Sequence, residues 1–169
     1  MFPIRLSLGA AKQTAFSALA PGSIGIVRNQ VWMRLQASAV DKEGGGLLLV
    51  DEAGKRPFSI AAAFAANVLE FKTTEVEIEL GPVIKEDLPS DDFIGAVTVL
   101  HDGIWLVAQS DGSSLFGGLV ILVNLLTGAT RPAHELNVRS PIFSSWRLFG
   151  RFAEKGWATI ANGPGDQLA

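Results

Sequence analysis

Residues 22–36 run GSIGIVRNQVWMRLQ and residues 95–109 run GAVTVLHDGIWLVAQ. Laid over each other without a gap, they match Gly22 with Gly95, Trp32 with Trp105 and Gln36 with Gln109. Ile24 and Ile26 fall on Val97 and Val99. The same shift sets GGGLLLVD (44–51) over GGLVILVN (117–124), and small slippages align GKRP (54–57) with GATRP (128–132) and IRLSLG (4–9) with VEIELG (76–81). Alternating aliphatics alone would be a weak match, because strand-rich segments share them. Tryptophan is rare in this chain, and the Trp, Gly-Gly and Arg-Pro pairs recur in one order. An internal duplication is therefore expected, with repeats at 1–74 and 75–169 packed as one compact domain. The KTTE stretch between them has no Pro or Gly, as expected for halves that share a core.

Each repeat follows the same pattern. PIRLSL and EVEIEL alternate with period two, as half-buried strands do. SIGIV and VWMRLQ flank RNQ, and AVTVL and IWLVAQ flank HDG, which predicts two hairpins. GLLLVD and LVILVN are near-continuous apolar runs suited to central strands. Ile60, Phe64 and Val68 in SIAAAFAANVL recur at helical spacing, as do Trp146, Phe149, Phe152 and Ala153 in SSWRLFGRFAEK, so a helix is expected in each half. VLEFK and WATIA then close the halves as strands. The expected class is α+β and β-rich: two internally duplicated antiparallel β units of about five strands plus one helix each, packed with pseudo-twofold symmetry around a shared core.

Composition narrows the function. Of 169 residues, 48% are hydrophobic and 18% charged, which suits a packed globular domain. A net charge of -3 opposes general nucleic-acid binding, which depends on many cations. With no cysteine and no tyrosine, thiol and phenol chemistry are absent. The N-terminal stretch lacks a basic start and an unbroken apolar run, and LFGGLVILVNLLTGA is too short to span a bilayer. A soluble, cytoplasmic protein without membrane contact is expected.

No catalytic set emerges. His101 and Asp102 fall at a predicted hairpin tip, where a general base would lack a pocket. His134-Glu135 lies apart in a loop, and without cysteine a zinc site would need several carboxylates; no metal and no cofactor is expected. KEDLPSDD (85–92) is acidic but lacks calcium-loop spacing, and GGG (44–46) is not followed by the Lys-Ser/Thr of a phosphate loop.

Faces carry more than motifs. Trp32, Arg34 and Gln36 share one side of their strand, and Trp105, Val107 and Gln109 share one side of theirs. Either set forms a binding surface or is covered by its half's helix. Glu75, Glu77 and Glu79 line one face of a strand opposite Val76, Ile78 and Leu80. Such a row repels itself unless it meets water or cations. These features point to a non-catalytic binding protein with a protein partner, such as an inhibitor or immunity-type partner of a basic effector. A second reading places a small molecule between the repeats, against Trp32, Trp105, Arg34 and Gln109. A third, a carboxylate-dependent hydrolase, needs two acids roughly 5–10 Å apart across a groove.

Overall fold

The computed structural model describes residues 11–27, 30–37, 44–51, 57–62, 67–71, 73–110, 119–152 and 156–165. The strand expected at 4–9 lies outside them. The first ladder consists of β1 (Ala11–Ala15), β2 (Ile24–Val27), β3 (Gln30–Arg34), β4 (Gly45–Asp51), β5 (Ser59–Ala62) and β6 (Asn67–Phe71), hydrogen-bonded in the order β1-β6-β2-β3-β4-β5. After β7 (Thr73–Leu80), a second ladder is made by β8 (Lys85–Asp87), β9 (Val97–Leu100), β10 (Gly103–Ser110), β11 (Val120–Asn124), β12 (Thr130–Pro132) and β13 (Ser140–Phe143), in the order β8-β13-β9-β10-β11-β12. The ladders join where β5 and β10 run parallel, Ser59 beside Gln109 and Ile60 beside Ser110, giving one mixed sheet of twelve strands. β14 (Trp146–Phe152) lies between β7 and β15 (Gly156–Asn162) in a separate antiparallel sheet of three.

Both predicted hairpins are present. Ile24, Gly25, Ile26 and Val27 face Met33, Trp32, Val31 and Gln30. Val97, Thr98, Val99 and Leu100 face Leu106, Trp105, Ile104 and Gly103. Each hairpin is entered through a glycine whose N–H donates across the ladder, Gly22 to the Arg34 carbonyl at 2.7 Å and Gly95 to the Val107 carbonyl at 2.8 Å. The following strand keeps a different register in each ladder. Trp32 lies opposite Leu48, whereas Trp105 lies opposite Asn124, the residue that the ungapped alignment sets over Asp51. β4 and β11 each lie between two neighbours with most side chains buried, which explains their unbroken apolar runs.

The expected α+β class, with one helix per unit, is overturned. Among the described residues the helical elements are all 3₁₀: turns at Phe16–Ala18, Asp91–Phe93 and Ala133–Glu135, and residues 164–165. The first expected helix falls on β5 and β6, with residues 63–66 outside the described set. Ala61 answers a different constraint. Ala61 and Ala62 pair with Gly46 and Gly45, and a Cβ on Gly46 would lie 2.9 Å from the Phe16 ring and 3.0 Å from the Trp32 ring. A small residue is needed at Ala61, on the same face as Gly46, because Phe16 and Trp32 cover that part of the sheet. The second expected helix is β14. Trp146, Leu148 and Gly150 are buried while Arg147 and Arg151 are exposed, a period of two that coexists with the helical spacing of the aromatics.

One core cluster joins Met33, Leu47 and Ile60 of the first ladder, Val97, Leu106 and Ile121 of the second, and Trp146, Leu148 and Ile160 of the small sheet. Trp146 sits at the meeting point. Its indole N–H donates to the Gly95 carbonyl at 2.7 Å, and its ring meets Phe58 edge-on, with centroids 5.9 Å apart. Two smaller clusters lie elsewhere: Phe16, Leu19, Trp32, Leu48 and Val68 in one, and Trp105, Val107, Leu122 and Ala133 in the other. Each buried side chain of this size contributes about 1.5–3 kcal/mol by leaving water.

Candidate functional site

Trp32 and Trp105 are 8% and 5% exposed, and they belong to separate clusters. Among the described residues no helix covers either; each packs with a residue of a 3₁₀ turn, Phe16 beside Trp32 and Ala133 beside Trp105. Both indoles bond locally. Trp32 donates to Gln30 Oε1 at 3.1 Å, and Trp105 donates to Asp102 Oδ1 at 3.0 Å. Arg34 is buried, its guanidinium over the Phe16 ring and bonded to the Gly44 carbonyl at 3.0 Å. Gln36 and Gln109 are exposed, and their main-chain N–H groups bridge the ladders, to the Gly128 carbonyl at 2.9 Å and the Phe58 carbonyl at 3.0 Å. The tryptophans therefore do not converge on a shared cleft, and buried Leu35, Phe58, Ala108 and Leu125 all lie in the shared core cluster.

The hairpin tip at His101 and Asp102 is built around the same indole. Arg131 stacks on Trp105, 3.9 Å from the ring centre, and forms an ion pair with Asp102. Partial burial raises the Asp102 carboxyl, but the bonds from Arg131 and Trp105 outweigh it and hold the group below its ordinary value of 3.8. Asp87 is likewise lowered, by Lys85 at 2.5 Å and by the Leu88 N–H. His134 and Glu135 are exposed on their 3₁₀ turn. Among the described residues no three His, Asp or Glu side chains are grouped to hold a metal ion.

Glu75, Glu77 and Glu79 are exposed on β7, and β14 sets Arg151, Phe149 and Arg147 directly opposite them. On the far side of β14, the same three residues pair with Trp157, Thr159 and Asn162 of β15. Directly opposed residues share a face. The outer face of the small sheet is thus three rows: acidic on β7, Arg-Phe-Arg on β14, and Trp157 and Thr159 on β15, with the Asn162 Oδ1 buried at the end of the last row. Arg151 reaches Glu75 at 3.3 Å, with both side chains more than half exposed.

No family model matches the chain, and neither a curated protein nor a solved structure is similar to it. The site is therefore read from its geometry alone. Sequence reasoning found the glutamate row but missed Arg147, Arg151 and Trp157 as its neighbours. The available signal was the alternation of WRLFGRF, which a helical reading of the same aromatics hid. Among the described residues no helix is long and apolar enough to cross a membrane.

Proposed function

We propose that this chain is a non-catalytic binding protein that recognises another protein through the outer face of β7, β14 and β15. Trp157 is the observation that supports this most. Of four tryptophans, Trp32, Trp105 and Trp146 are 8%, 5% and 1% exposed, whereas Trp157 is 42% exposed. It stands across from Arg151, which in turn stands across from Glu75. Tryptophan and arginine are the side chains that most often anchor protein interfaces. Three glutamates against two arginines leave the face acidic, which suits a basic partner, and an inhibitor or immunity-type role toward a basic effector fits that charge.

The experiment is affinity capture with the tagged chain, followed by kinetics with the purified partner. The double reversal Glu77→Lys, Glu79→Lys is expected to slow association roughly 3–10-fold at low salt, and less as salt screens the charges. Trp157→Ala is expected to speed dissociation. Association that ignores salt and both variants removes this face from the reading.

We also propose that the two ladders descend from one segment copied in tandem. Support comes from their matching strand order, from hairpin registers that share the offset between Gly22 and Gly95, and from the paired bonds at those glycines. β7 and β14 carry the same offset, and their pairing of Val76 with Gly150 and Glu77 with Phe149 suits an approximate twofold axis between them. An experimental structure tests this. Residues 11–80 and 84–152 should superpose strand for strand outside the slipped third strand, and divergent paths through the hairpins would end the idea.

A further inference from the structure

We draw no further inference here: the strongest candidate, the outer edge of β7 with Glu75, Glu77 and Glu79 along it, is an acidic row for which nothing among the described residues shows what covers it.

Discussion

Gly95 combines two demands that only a glycine can satisfy. Its φ is +86°, and a Cβ there would lie 2.5 Å and 2.6 Å from carbon atoms of the Phe58 ring. Its carbonyl also receives the Trp146 indole, so the backbone has little room to retreat. Gly95→Ala is expected to cost about 2–4 kcal/mol in urea unfolding, adding overpacking to the left-handed backbone strain. Gly156 separates those causes. Its φ is +71° with nothing within 4 Å of where a methyl would sit, so Gly156→Ala should cost only about 1 kcal/mol. Equal losses at the two sites would mean that Phe58 is not the obstacle. Asp102 gives a prediction in pH. Its folded carboxyl titrates below its ordinary value of 3.8, so the folded state binds that proton more weakly than the unfolded chain does. Its contribution is complete above the unfolded value and is lost as pH falls through the folded one. Urea midpoints of the native protein and Asp102→Asn should therefore differ at about pH 6 and draw together only as pH falls below 3.8 and through the folded value. Asp87 titrates in the same window, and because both proteins carry it, the difference isolates Asp102. A gap that persists at the acid end would show that the carboxylate's charge is not what Arg131 uses.

Strand-to-strand pairing turns on a few buried polar groups as well as on apolar faces. Thr98 on β9 and Ser140 on β13 are 0% and 5% exposed, and their hydroxyls bond at 2.7 Å. Thr98→Val keeps the shape but leaves the Ser140 hydroxyl buried beside a methyl, at an expected cost of about 1–3 kcal/mol. Adding Ser140→Ala should recover much of that loss, because the stranded group is then gone. A double variant no more stable than the single one would mean that the serine has another partner. The elements legible in the sequence were those with one decisive pattern. VWMRLQ and IWLVAQ alternate, and LLLV and VILV are too short and too β-rich for anything but central strands. β8, with exposed Lys85 and Glu86 and half-buried Asp87, is a three-residue edge with no apolar face to betray it. β1 reads AKQTA and is no more telling. β5 and β14 fit two periods at once. What decides between them is non-local: β14 has β7 and β15 on its flanks, and β5 has β4 and β10. The candidate site divides along the same line. Alternation exposed the glutamate row, but which cations faced it depended on pairing across some seventy residues, and Trp157 could be assigned to a strand without any sign that its face was open.

At the scale of the molecule, the shared core sets the cooperativity. The ladders could each close on their own only if their inner faces found separate cover, yet Met33, Leu106 and Trp146 fall in a single cluster. Phe58 of the first ladder and Gly95 of the second meet at the same indole. Removing either ladder would expose the inner face of the other along with the buried side of the small sheet. Unfolding is therefore expected to be one transition rather than two. Three of the four tryptophans make this measurable, since Trp32 reports the first ladder, Trp105 the second and Trp146 their junction. Variants that keep one of these and replace the others by phenylalanine should each show a urea transition that coincides with the loss of far-UV circular dichroism in the same protein. That spectrum should lack the paired minima of an α-helical protein, as follows from the strand assignments of β5 and β14. If the Trp32 or the Trp105 reporter melted at a denaturant concentration different from the loss of circular dichroism in its own variant, the halves would be independent folding units, and the common core would not be what holds them together.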